Sequence, residues 1–207
     1  HQSLCSVSSR KRMDDFLSDD ALKISGLFNP VKVKHFLNKT NVNKGLSEVD
    51  GGRYYIAQVF TGPDGFIHRY RKTWIWHNRP DDNYRDEWVR YDPGTGPDLF
   101  TIDGVKAPCF LCSDGESKRC IQRAADLAPE VVFHPNNRRR ITEDEAYAGR
   151  ARSIGAPMLV TNRVGASWGA ATTGRCMVFS AKGELLAEAN HEAREEILMW
   201  KLKPGRG

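Results

Sequence analysis

The thiol of Cys112, the ammonium of Lys72 and the carboxylate of Glu87 are a set suited to acyl transfer on an amide or nitrile. A thiolate attacks the electrophilic carbon and an ammonium stabilises the developing oxyanion. A carboxylate moves protons and keeps the lysine charged. Taken singly, each has a plainer reading: Lys72 as a surface lysine, Glu87 as a solvated loop acid, Cys112 as a buried structural thiol. Cys112 also shares a Cys-x-x-Cys pair with Cys109, which raises zinc and disulfide-exchange chemistry. Positions three apart on one strand point to opposite faces, and no second cysteine pair completes a metal set. A thioredoxin-type motif places its thiols at a helix start, which only Cys112 satisfies. Cys109 therefore reads as a core residue.

The stretch Leu99 to Pro135 must position the thiol. An apolar run ends at Cys112, and the turn Ser113-Asp114-Gly115-Glu116 follows. A helix near Lys118–Leu127 and a strand at Val131–His134 complete the unit. Cys112 thus sits at the C-terminal end of a strand, where ligands of α/β proteins collect, and faces a helix N-terminus that favours thiolate. Upstream, Tyr54–Phe60 and Phe66–Lys72 read as a β-hairpin around Thr61-Gly62-Pro63-Asp64-Gly65, which puts Lys72 at a strand end. Gly45–Gly52 reads as a turn-rich connection, and His77–Pro97 as a long polar loop carrying Glu87 and Trp88. Downstream, Thr142 caps a helix that Gly155 and Pro157 end, followed by a strand at Met158–Val164. Arg175–Ser180, Leu185–Ala189 and Ile197–Leu202 are β-prone, and Asp14–Leu27 and Pro30–Leu37 read as short helices. Strand, helix, strand, helix, strand and a closing set of hairpins indicate a layered α/β protein with an antiparallel tail, one domain over 1–207.

Composition narrows the partners. Lys and Arg number 31 against 26 Asp and Glu. With no RNP, zinc-finger or basic-helix pattern, the clusters Arg10–Arg12 and Arg138–Arg140 read as solvated loops, not a nucleic-acid site. No run of about 18 apolar residues exists, so no membrane-spanning helix is expected. The 5 scattered cysteines argue against a disulfide framework and for a reducing, cytoplasmic setting.

Several motifs in one order resemble the nitrilase superfamily, the carbon–nitrogen hydrolases. Gly45–Lys72 is similar to its hairpin leading into a Tyr-Arg-Lys motif, and Asp86-Glu87-Trp88 through Asp92-Pro93-Gly94 to its loop with a glutamate ahead of Pro-Gly. Leu111-Cys112-Ser113-Asp114 resembles its nucleophile motif. Ala151-Arg152 resembles part of its Arg-Ala-Arg helix, and Asn162-Arg163-Val164-Gly165 the strand end after it. Gly174-Arg175-Cys176 stands where Gly-x-Ser is usual, and Lys182-Gly183-Glu184 matches the following turn. The likeness runs from about Gly45 to Leu202, with residues 1–44 poorly matched and 203–207 a tail. Where many members carry Phe-Pro-Glu after the nucleophile, this chain has Ser117-Lys118-Arg119.

The resemblance implies an α-β-β-α sandwich, assembly into dimers or larger homo-oligomers, and no metal or organic cofactor. It implies a thioester at Cys112, with Lys72 and the Ser113 N–H holding the oxyanion and Glu87 positioning Lys72. Cys-x-Asp is closer to the amidase and carbamoyl-amide branches, so the implied substrate is a small amide or N-carbamoyl compound. The family's general base is a glutamate from an N-terminal strand–helix–strand unit, and residues 1–44 contain no Glu. An N-terminally truncated chain is therefore expected, with a catalytically inactive binding or oligomerising relative as the alternative. Asn136 is read as a substrate contact or a loop-capping amide. Trp74, Trp76 and Trp88 are read as an aromatic-walled entrance or as core packing.

Overall fold

The computed structural model describes residues 3–4, 42–62, 64–77, 87–138, 143–167, 170–189 and 198–202. The chain opens with β1 (Ser3–Leu4), β2 (Val42–Asp50), β3 (Arg53–Gly62) and β4 (Gly65–Arg71). A small hairpin, β5 (Phe100–Ile102) and β6 (Val105–Ala107), precedes a 3-10 helix over Cys112–Glu116 and helix α1 (Lys118–Asp126). Strand β7 (Val132–Asn136), helix α2 (Asp144–Ile154) and strand β8 (Met158–Asn162) follow. The chain closes with β9 (Val164–Ser167), β10 (Ala170–Thr173), β11 (Met177–Phe179), β12 (Leu185–Glu188) and β13 (Met199–Trp200). The helices expected at Asp14–Leu27 and Pro30–Leu37 lie outside the described residues.

The central sheet has the order β12-β11-β8-β7, with β7 and β8 parallel and the others antiparallel. Alternation along its strands divides the core in two. Val132, Met158, Val160, Met177 and Phe179 face α1 and α2, where Cys120, Ala124, Tyr147, Ala148, Ala151 and Ile154 complete one cluster. Phe133, Leu159 and Val178 face the other way, against Phe60 and Tyr70 of the β2-β3-β4 sheet and Phe100 of β5. The Phe60 ring lies 5.2 Å from Phe133 and 4.5 Å from Phe100, centroid to centroid. The described residues therefore stack helices, sheet and sheet, as the layered α/β expectation requires. No described helix is long and apolar enough to cross a membrane.

Three expectations are corrected. Gly45–Gly52 is not a connection: most of it lies in β2, paired along its length with β3 and turning at Gly51-Gly52. Charge rather than apolar alternation holds this strand. Glu48 receives Arg71 Nε and Nη2 at 2.9 and 2.8 Å and Arg69 at 2.5 Å, and Asp50 receives Arg71 at 2.6 Å. The Arg71 guanidinium lies 3.9 Å from the centre of the Tyr55 ring between them, and its hydrogen bonds hold the Glu48 carboxyl below the usual range.

The run before Cys112 is likewise not one strand. Asp103 and Gly104, both at positive φ, fold it into the β5–β6 hairpin. Pro108–Leu111 then lies extended beside β7, bridged at Cys109 and Phe133. Thirdly, Glu143 occupies the N-cap position of α2 without a side-chain cap, and Thr142 lies outside the described residues. The β9–β10 hairpin, rich in Gly and Ala, carries no apolar alternation and is absent from the sequence reading.

Phe133 is nearly fully buried between the sheets, whereas Leu185 is 42% exposed. Phe133→Ala is expected to cost about 3–5 kcal/mol in urea unfolding, and Leu185→Ala less than about 0.5 kcal/mol. Equal effects would show that the inter-sheet cluster is not the core.

Candidate active site

Lys72 follows β4 directly. Its N–H donates to Ile56 O at 2.8 Å, and its carbonyl accepts the Gly94 N–H at 2.7 Å. The side chain is only 2% exposed and its Nζ pairs with Glu87. A buried ammonium is costly unless paired, and the Glu87 carboxylate is its partner. Glu87 opens a one-turn 3-10 helix and also accepts the Trp76 N–H at 3.0 Å. Gly94 has to be glycine here, because a Cβ would stand 2.2 Å from Arg71 O.

Asp114 joins the lysine strand to the cysteine turn. One carboxylate oxygen accepts the N–H groups of Thr73 at 3.0 Å and Trp74 at 2.5 Å. The other accepts Tyr70 Oη and the Leu111 N–H, both at 2.8 Å. Ser113 Oγ donates to Trp74 O at 2.7 Å. Residues on either side of Lys72 are thus bonded to the two residues that follow Cys112, Ser113 and Asp114. Cys112 itself is partly exposed at φ +47°, a left-handed conformation that costs a non-glycine residue about 1–3 kcal/mol. Its carbonyl lies 3.1 Å from His134 Nε2. Cys109 is fully buried in the inter-sheet cluster, where burial pushes its thiol well up.

The structure brings together Lys72, Glu87 and the turn carrying Cys112 and Ser113. Ser113's hydroxyl is committed to the Trp74 carbonyl. Asn136, at the end of β7, donates to His134 O at 2.7 Å, the geometry of a loop-capping amide. Trp74, Trp76 and Trp88 line an open cleft of about 890 Å³ with the Pro93–Pro97 loop, Arg119 and Arg123. That cleft lies beside the site: neither Cys112 nor Lys72 forms its wall. Sequence reasoning singled out neither His134 nor the guanidinium of Arg138, which lies within electrostatic range of Cys112 and is held by Glu116 at 2.6 Å. A polar residue on an otherwise apolar strand was the available signal for His134. Asp114 was visible only as part of the Cys-x-Asp motif.

Among the buried groups of the site, Asp114 and His134 shift in opposite directions. Burial raises Asp114 from 3.8 to about 6, against the pull of its hydrogen bonds from Trp74, Leu111 and Tyr70. Burial, with Arg150 nearby, lowers His134 to about 3, so the imidazole is neutral at physiological pH. Because the folded value of Asp114 exceeds the unfolded one, folding takes up a proton between about pH 4 and pH 6. Its contribution to stability therefore falls as pH rises through that interval. His134 runs the opposite way, its contribution being lost as pH falls below 6.5.

Asp114→Asn removes the first of these trends. In urea unfolding at a series of pH values, the deficit of D114N relative to the parent should narrow by about 2 kcal/mol between pH 4 and pH 7. A constant deficit would mean that Asp114 is not raised. At Cys112, glycine relieves the left-handed strain and alanine does not. Cys112→Gly is expected to be more stable than Cys112→Ala by about 1 kcal/mol, and the reverse order would exclude strain at this residue.

A family model of carbon–nitrogen hydrolases matches residues 38–206. A nitrilase of Pyrococcus abyssi is 29% identical over 154 residues, 74% of this chain and 55% of its own length. This chain thus spans about half the length of the curated relative it matches. Among solved structures, the carbon–nitrogen hydrolase of Helicobacter pylori superposes with a TM-score of 0.67 at 23% identity, over 82% of this chain and 65% of that one. A CN-hydrolase superfamily protein of Xanthomonas campestris gives 0.71 at 14% identity, over 97% and 78%. A variant of the amidase from Nesterenkonia sp. AN1 gives 0.69 at 16%, over 90% and 72%. At these identities the likeness is one of fold, the layered α/β architecture described above. The match over residues 38–206 is of sequence, and by it the chain belongs to the carbon–nitrogen hydrolase family.

Proposed function

We propose that this chain hydrolyses a non-peptide carbon–nitrogen bond, in a small amide or N-carbamoyl compound, through a thioester at Cys112. The observation that carries the reading is a buried Lys72 paired with Glu87 and tied through Asp114 to the cysteine turn. Cys112 Sγ attacks the carbonyl carbon, and the oxygen becomes an oxyanion held by Lys72 Nζ and the Ser113 N–H. The tetrahedral centre collapses with loss of the amine, which takes the proton that the thiol gave up. Water then attacks the thioester and releases the acid. Glu87 is committed to Lys72 and the Trp76 N–H, so the proton carrier is a separate group, the second glutamate that the family likeness implies. In the Nesterenkonia amidase, acrylamide adds to the active-site cysteine, which supports the nucleophile assignment here. The same family likeness supports self-association into dimers or larger assemblies.

Incubation of the full chain with p-nitrophenyl acetate, followed by intact and peptide mass spectrometry, tests the assignment. One acetyl group is expected on Cys112, removable by hydroxylamine and absent from Cys112→Ser. Lys72→Gln should slow acylation by about a hundredfold or more. Acetylation spread over Cys5 and Cys120, or insensitive to Lys72, overturns the reading. A catalytically inactive relative is the competing reading. It requires Cys112 to react with iodoacetamide no faster than Cys120.

A further inference from the structure

We infer that His134 is a positioning residue for the oxyanion donor: its Nε2–H holds the Cys112 carbonyl and thereby aims the Ser113 N–H at the reacting carbonyl of the substrate. The inference rests on the reading of Cys112 as nucleophile. His134 is fully buried on β7, with Nε2 at 3.1 Å from Cys112 O. A carbonyl oxygen only accepts, so Nε2 carries the proton and the tautomer is fixed. The Cys112–Ser113 peptide is trans, so its C=O and N–H point in opposite directions. With the carbonyl drawn to His134, the Ser113 N–H points away from the imidazole. The Ser113 hydroxyl on Trp74 O is a second anchor against rotation of that peptide. Donation to the carbonyl also polarises the peptide and strengthens its N–H as a donor.

The surroundings of His134 are built for this contact. The rings of Phe110 and Tyr147 stand nearly perpendicular to the imidazole, with centroids 5.8 and 5.5 Å from its own. Gly115 leaves the space that the imidazole uses, since a Cβ there would stand 2.7 Å from His134 Cε1 and 3.1 Å from Arg150 Nε. The charged groups around the ring are Arg150 on α2 and Arg138 after β7, the latter paired with Glu116 and Glu143. Both cations oppose protonation of the imidazole and keep it a neutral donor. Among the described residues, His134 Nδ1 is buried without a partner, a desolvation cost that an apolar side chain would avoid. The hydrogen bond to Cys112 is what the imidazole adds in return.

The test compares two reactions at Cys112 in the full chain. Acylation by p-nitrophenyl acetate passes through an oxyanion, whereas alkylation by iodoacetamide is a direct displacement without one. His134→Leu is expected to slow acylation about tenfold or more and to leave alkylation unchanged. His134→Gln, whose amide N–H reaches the same carbonyl, should restore most of the acylation rate. Gly115→Ala, which displaces the imidazole, should repeat the His134→Leu pattern. Unchanged acylation in H134L, or an equal fall in both reactions, overturns the inference. If the parent chain is not acylated at all, the hydrolase reading fails separately. The Ser113 amide proton then decides the role of His134: an upfield NMR shift in H134L that H134Q reverses supports it, and no shift overturns it.

Discussion

The buried carboxylate of Asp114 is the constraint on which the site depends. It accepts four hydrogen bonds, from the N–H groups of Thr73, Trp74 and Leu111 and from Tyr70 Oη. Three of these donors belong to the strand end around Lys72, and one precedes Cys112. The Ser113–Trp74 hydrogen bond is a second polar tie between the two segments, and Tyr70 packs in one buried cluster with Cys109 and Leu111. The ring of donors suits the ionised carboxylate, while burial favours the neutral acid. The two demands leave Asp114 titrating near neutrality, with the Lys72 ammonium among the forces drawing it down.

Two cations of this region have carboxylate partners. Lys72 has Glu87, and Arg138 has Glu116 and Glu143. In a medium of low dielectric, such pairing is the condition for retaining ionised side chains at all. The consequence for chemistry is an ammonium already desolvated and fixed in place. In the proposed reaction it needs no reorganisation when negative charge develops beside it. Cys112 is a left-handed residue between an extended segment and a 3-10 helix, partly exposed while Leu111 and Ser113 beside it are buried.

The division of the core explains which parts of the fold were legible. Val132-Phe133, Met158-Leu159-Val160 and Met177-Val178-Phe179 are short apolar runs that send alternate side chains to two different clusters. A run buried on both faces is recognisable as a strand from composition alone, and all three were so read. Helices α1 and α2 show apolar residues at helical spacing and were placed to within a few residues. Strand β2 was not, because its partners across the sheet are arginines and its exposed face is acidic. The β5–β6 hairpin was hidden for the opposite reason: an apolar stretch continues through its Asp103-Gly104 turn.

At the site, residue types and their order were enough to nominate Cys112, Lys72, Glu87 and Ser113, because acyl transfer requires a nucleophile, a cation and a carboxylate. Chemistry is a property of side-chain type, and type is written in the chain. Only the tertiary structure decided how these groups are held. That Asp114 binds the lysine strand, that His134 reaches the Cys112 carbonyl, and that Asn136 caps its own loop are matters of direction. Direction is set by packing between segments distant in sequence, where one carboxylate can meet donors from residues 70 to 111 at once.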